Sequence, residues 1–213
     1  VGHAEVSSMW KTLSRRCTIY YNQLFTNLLP YLKTVLLFAG GMVIVSGIMS
    51  LLIDTSIFTS MIGTSVEDLQ RFLIDFDNVG FFAMVLQRNL TILLVCTLSS
   101  VIYWRLIPMG IVGINALVLP LQFHKIVEIY GSPVILGCYL HAGLELLGMV
   151  VACAIALYAM DNITTPLADV KGRGWNTLNN ALIPFVATVL PLIVVAAFIE
   201  SFISAELLKL LLL

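Results

Sequence analysis

Apolar residues run along this chain in long blocks separated by short polar breaks. A helix needs about 20 mostly apolar residues to cross a hydrocarbon core of ~30 Å. Residues 34–53 meet that requirement with no charge inside. The block from Phe81 to Tyr103 meets it only if Arg88 and Asn89 lie within the span, and residues 107–123 form a shorter block bounded by Pro108. These two read as consecutive spans, with a re-entrant hairpin as the alternative. Residues 133–159 and 180–202 complete the set, the last holding Pro184 and Pro191. The pattern therefore predicts an all-α, polytopic helical membrane protein with five spans, at about 34–53, 82–103, 107–123, 133–159 and 180–202. Alternation with a period of two is missing from these blocks, which argues against a β-barrel.

The breaks carry their own expectations. Residues 122–131 and 161–176 read as polar loops. Ser65-Val66-Glu67-Asp68 resembles a capping box, and residues 65–77 read as an interfacial helix. Gly40, Gly41 and Gly47 offer a small-residue face for close helix contact. Residues 1–33 carry Lys11, Arg15, Arg16 and Lys33 against Glu5, with Trp10, Leu13, Cys17, Tyr20 and Leu24 at helical spacing. That is the pattern of a basic amphipathic helix on the membrane surface, or of a solvated helix packed on its own protein. The expected organisation is a segment 1–33 followed by a transmembrane domain 34–213. The first long apolar block begins later than a cleaved signal peptide would place it.

Composition agrees with the blocks. The chain is 60% hydrophobic and 11% charged, with a mean hydropathy of +1.01. The net charge of −1 gives no basic surface for nucleic acid. With the N-terminus inside, Lys11, Arg15, Arg16, Lys33, Arg105, Lys171 and Arg173 share the inner side; Arg71, Arg88, Lys125 and Lys209 face outward. Positive-inside bias then favours a cytoplasmic N-terminus. Cys17, Cys96, Cys138 and Cys153 contain no C-x-x-C pair, so neither a disulfide scaffold nor a structural zinc site is expected.

Candidate chemistry centres on His141 and Glu145, four apart and so on one helical face, inside the block from Pro133 to Met160. An ionised group at the centre of a span costs about 2.5–3.5 kcal/mol on insertion scales. Such a pair should face protein or water, each residue being the other's first candidate partner. It reads as a proton relay or as a hydrogen-bonded pair that fixes register. Asn115 is polar within a short span, and Glu200 is an acid near the end of the last one. A catalytic zinc would need a third ligand, from Glu200 or His124. The chain lacks H-E-x-x-H and G-x-S-x-G, and Lys171-Gly172-Arg173-Gly174 lacks the rest of a phosphate loop. No cofactor is expected.

The stretch from Tyr139 to Leu146 (YLHAGLEL) resembles the proline-histidine-glycine-x-x-glutamate-leucine element of the stage II sporulation protein M family. Ala196-Ala197-Phe198-Ile199-Glu200-Ser201-Phe202 resembles that family's closing element, and Asn89 and Asn115 fall at its two asparagine positions. The resemblance covers roughly residues 80–205. Leu140 replaces the family's proline, and Ala142 and Ala116 replace glycines. The resemblance implies a polytopic inner-membrane protein acting within a complex, linked to peptidoglycan remodelling in sporulating bacteria or to bacteriocin export and immunity. The sequence thus points to a non-enzymatic membrane subunit, a scaffold or transport partner, with an intramembrane cluster of Asn115, His141, Glu145 and Glu200, and Asn89 as an additional member. Expected partners are the lipid bilayer and other membrane proteins, in a homo-oligomer or hetero-complex. The alternatives are a small proton- or cation-coupled transporter or channel, and an intramembrane metallohydrolase.

Overall fold

The structure, a computed structural model, describes residues 3–52, 77–102, 104–131, 141–162 and 170–212. Helix α1 is His3–Leu52, and α2 is Asn78–Leu98, continued by a 3₁₀ turn over Ser99–Ile102. Helix α3 is Leu106–Tyr130 and α4 is Ala142–Asp161. The last rod consists of α5, Val170–Pro184, a π-helical segment Phe185–Val189, α6, Leu190–Phe198, a second π segment Ile199–Ser204, and α7, Ala205–Leu212. Five stretches are long and apolar enough to cross a membrane: Tyr21–Ser50, Asn78–Ile102, Leu106–His124, Ala142–Asp161 and Trp175–Leu207. The protein is a multi-pass helical membrane protein in contact with the lipid bilayer.

Successive spans alternate in direction. At one end Arg105 pairs with Asp161, Tyr31 packs edge-on against Tyr158 at 6.0 Å, and Asn180 Nδ2 donates to the Asn162 carbonyl at 3.4 Å. At the other end Phe82 meets Phe202 at 6.2 Å, and His141 meets Ser204. Helix α4 is the most enclosed of the five. Ala152, Ala154, Ala156 and Ala159 are fully buried in it, and their small side chains let neighbouring helices approach closely.

Several breaks expected to be loops are helical. Helix α3 passes through residues 122–130 and ends at Gly131, whose N–H donates to the Val127 carbonyl at 2.9 Å with φ of 83°. Gln122, His124, Lys125 and Glu128 tolerate helix well, so their polarity marked the end of the apolar block and not the end of the helix. Likewise α5 begins at Val170, inside the expected loop 161–176, and the last helical rod outruns the expected span 180–202 at both ends. The long block 133–159 enters the described structure as a helix only from Ala142. Residues 132–140 lie outside the described residues, as do 53–76, which hold most of the interfacial helix expected over 65–77.

The glycines of α1 do not make the close contact expected of them. A Cβ added at Gly40, Gly41 or Gly47 would meet nothing within 4 Å. The close approach lies on α3, where a Cβ at Gly113 would sit 3.0 Å from Cε1 and Cζ of Phe38. Ser46, one turn beyond Met42 on the same face, donates to the Leu117 carbonyl.

Helix α1 runs unbroken through residue 33. At about 1.5 Å per residue its 50 residues span roughly 75 Å, more than twice a hydrocarbon core. Tyr31 stands at the level of Tyr158, one turn from the Arg105–Asp161 pair. The helix before Tyr31 therefore extends beyond that charged layer.

Candidate functional site

The site is assembled at the end of the bundle opposite the Arg105–Asp161 pair. Its first wall is α2. Asp77 caps that helix, its carboxylate accepting from the backbone N–H of Val79 and of Gly80, both at 3.1 Å. The cap fixes where the helix starts and so where Asn89 points, about three turns later. Asn89 is buried, at 6% exposure, and its Nδ2 donates to Oε1 of Glu145. Arg88, the preceding residue, is exposed and lines the same space.

Helix α4 provides the floor. Its backbone begins at His141, whose carbonyl accepts from the N–H of Leu144 at 3.0 Å and of Glu145 at 3.1 Å. Glu145 is thus in the first turn, where the exposed N–H groups and the helix dipole favour a carboxylate. Within the described helix the pair stands at the start; the expected mid-span depth depends on residues 132–140, which lie outside the described residues. The expected pairing is corrected. Glu145 binds Asn89 of α2, while His141 Nδ1 lies 3.3 Å from Ser204 Oγ and its Nε2 lies 3.8 Å from Glu200 Oε1. Partners from other helices replace the i, i+4 neighbour.

Glu200 reaches this position through the irregularity of the last rod. Pro191 has no N–H to give, and its ring would clash with the carbonyl four residues back in a regular helix. The wide turn at Phe185–Val189 absorbs that conflict, with the Leu190 N–H bonded to the Phe185 carbonyl five residues earlier. The second π segment closes with the Ala205 N–H on the Glu200 carbonyl. It turns Glu200 and Ser204 together toward His141. Such bulges recur at functional positions in helices.

Between these walls lies a cavity of about 440 Å³. Arg88, Asn89, Asn115, Gln122, Glu145 and Glu200 are its polar lining, with His141 at one end. The carboxyl of Glu200 is within hydrogen-bonding reach of that of Glu145. Asn115 lines the cavity, but its Nδ2 donates to the Ile111 carbonyl of its own helix at 2.7 Å. The structure thus brings Asn89, Asn115, His141, Glu145 and Glu200 to one cavity. His124 lies elsewhere, in an apolar groove with Pro120 and Phe123, and does not supply a third ligand to His141 and Glu145. Among the described residues no group of three His, Cys, Asp or Glu is placed to hold a metal ion. Cys96 and Cys153 are free and buried in the core.

Sequence reasoning missed Ser204, Gln122 and the part played by Arg88. Only Arg88 left a signal, as a charge that the second span must contain if it is to be long enough.

The family model for stage II sporulation protein M matches residues 32–205. The chain belongs to that family. No curated protein and no solved structure matches it. The match starts well before the region around residue 80 where the resemblance in the sequence begins. It reaches into all five spans and takes in every residue of the cavity. For this member of the sporulation protein M family, the match begins within one turn of Tyr31, where α1 enters the charged layer.

Proposed function

We propose that the protein is a non-enzymatic subunit of a membrane complex, a scaffold or transport partner, and that the cavity between α2, α3 and α4 is its working site. One observation carries this reading: the cavity is blind. It touches α4 only from His141 to Met149, whereas Val150 to Met160 of the same helix lie almost wholly in apolar core. A polar recess closed beneath by packed alanines suits recognition better than passage. A second reading, a proton- or cation-coupled transporter, is favoured by the contiguity of Glu145, Glu200, His141 and Ser204. The metallohydrolase has no comparable support.

The orientation belongs to the same proposal. Lys33 and Arg105 share the end of the bundle reached by the N-terminal part of α1, and Lys171 and Arg173 precede Trp175 on that side. Positive-inside bias places this end in the cytoplasm and the cavity near the opposite face. Trp175 and Leu210, 65% and 83% exposed, stand at the two ends of the last rod. Trp175→Cys should be labelled from the cytoplasm and Leu210→Cys from outside; labelling from one side only would sink the five-span arrangement.

Crosslinking in native membranes, followed by purification of the full chain, tests the subunit role. A partner recovered in fixed stoichiometry is expected. Purified protein that is monomeric and drives proton- or cation-dependent flux in liposomes would instead establish the second reading.

A further inference from the structure

The groups lining the cavity are lopsided in hydrogen bonding. Asn115 spends an N–H on the Ile111 carbonyl, which can only accept, so the orientation of its amide is fixed and its carbonyl oxygen remains available. Asn89 likewise spends an N–H on Glu145. The amides keep N–H groups as well, but the carboxyls of Glu145 and Glu200 with the carbonyl oxygens of Asn89 and Asn115 place several acceptors side by side in the lining. The cation, Arg88, is exposed beside them.

The cavity has room for far more than a bare ion. A water molecule takes about 30 Å³ of liquid, and small-molecule sites run from about 300 to 1,000 Å³. The cavity, at about 440 Å³, falls in the second range. Hard metal cations also demand oxygens converging at about 2.0–2.6 Å, and no metal-holding group of three occurs among the described residues. An ammonium group, with several N–H donors and looser geometry, suits an acceptor-lined space.

The mouth indicates where the ligand comes from. The cavity is a wedge between α2 and α3, which touch each other only sparsely. Ile114 in its lining is 66% exposed, and Val85, Ile92, Val118 and Leu119 give it apolar walls. It therefore opens sideways, toward lipid, about one helical turn inside the end of α4.

We infer that this cavity binds the head of a membrane amphiphile carrying a primary ammonium beside a phosphate, with the ammonium on Glu145 and Glu200 and the phosphate at Arg88. The inference rests on the reading of the cavity as the working site and names its ligand class.

The test uses the full chain in nanodiscs of phosphatidylcholine, with or without phosphatidylethanolamine, reading retained lipid by native mass spectrometry. The two lipids share phosphate and positive charge, and only the ethanolamine head has N–H donors. Wild type should retain phosphatidylethanolamine over phosphatidylcholine by about tenfold or more, the scale of one charge-assisted hydrogen bond. Glu145→Gln and Glu200→Gln should abolish the preference. Arg88→Gln should weaken retention of the phospholipid while leaving that of a long-chain alkylamine unchanged. Should Glu145→Gln fail to insert, Glu200→Gln gives the same readout, since that side chain is 23% exposed. Equal retention of the two lipids by wild type, or an unchanged preference in Glu200→Gln, overturns the inference. Soluble phosphoethanolamine competing as well as the lipid also overturns it, by removing the bilayer as the source. Equal retention of the two lipids by wild type that still captures its partner rejects this inference alone; wild type that prefers phosphatidylethanolamine but captures no partner rejects the subunit reading alone.

Discussion

Asn89→Leu isolates the contact that ties α2 to α4. The side chain is 6% exposed, and its amide donates to the Glu145 carboxyl in the first turn of α4. Hydrogen bonds to charged groups contribute about 1.5–3 kcal/mol in soluble proteins. In membrane bundles side-chain pairs average nearer 0.6 kcal/mol and reach about 1.7 kcal/mol, because the unfolded helices find other partners. Asn89→Leu should therefore cost about 1–2 kcal/mol, the upper end being favoured because Glu145 stays behind with Glu200 beside it. Glu145→Leu strands the amide instead and should cost about 1–2 kcal/mol as well, offset in part because a carboxyl no longer has to be desolvated. The sign of the double substitution decides the matter. With both groups gone nothing polar is stranded, so Asn89→Leu/Glu145→Leu should be more stable than Asn89→Leu alone, which requires a coupling larger than the cost of Glu145→Leu, at least about 1 kcal/mol. Reversible unfolding in mixed micelles, followed by tryptophan fluorescence, measures all four proteins. Strictly additive losses would falsify the claim that these residues act as a pair.

Two further substitution pairs test packing and capping. Gly113→Ala should lower stability by about 1–3 kcal/mol through overpacking against Phe38, whereas Gly40→Ala and Gly41→Ala should be neutral or stabilising by a few tenths to about 1 kcal/mol, all read as shifts in melting temperature. A Cβ at Gly80 would lie 2.6 Å from Oδ2 of Asp77, so Gly80→Ala must dislodge the cap. Asp77→Ala should cost about 0.5–2 kcal/mol, and adding Gly80→Ala should cost much less than it does in the wild-type background; equal costs in the two backgrounds would show that the cap is not what Gly80 protects.

The spans were legible because each is a block of apolar residues, and block length maps directly onto membrane thickness. Their ends were not, because helix and hydrocarbon need not stop together. Gln122 to Tyr130 is polar yet helical, and Tyr21 to Pro30, with Asn22, Gln23 and Asn27, continues the helix of the first span although it precedes the Tyr31–Tyr158 layer. Helix α1 runs through the expected boundary at residue 33 without a break, and the family match starts near residue 32. For the site, the candidates were isolated polar residues in apolar blocks, and Asn89, Asn115, His141, Glu145 and Glu200 all border one cavity. Their pairing was not legible. Helical spacing suggested His141 with Glu145, but the partner of each lies on another helix.

The prolines show why pairing resists periodicity. Counting α-helical rise from the end that holds the Arg105–Asp161 pair sets Glu200 near His141 in depth, but contact also requires the correct face. Each π turn adds a residue to a turn of helix and so rotates everything beyond it by about 100°. Two such turns lie between Pro184 and Ala205. A strict 3.6-residue projection of the last span therefore assigns the wrong azimuth to Glu200 and Ser204. Pro184 and Pro191 are the visible trace of the first π turn, since a proline in a buried helix must be accommodated by local rewinding. The second has no proline within it. It lies where Glu200 meets His141 and the Glu145 carboxyl, so the local energy that a regular helix would gain there is exchanged for contacts across the cavity.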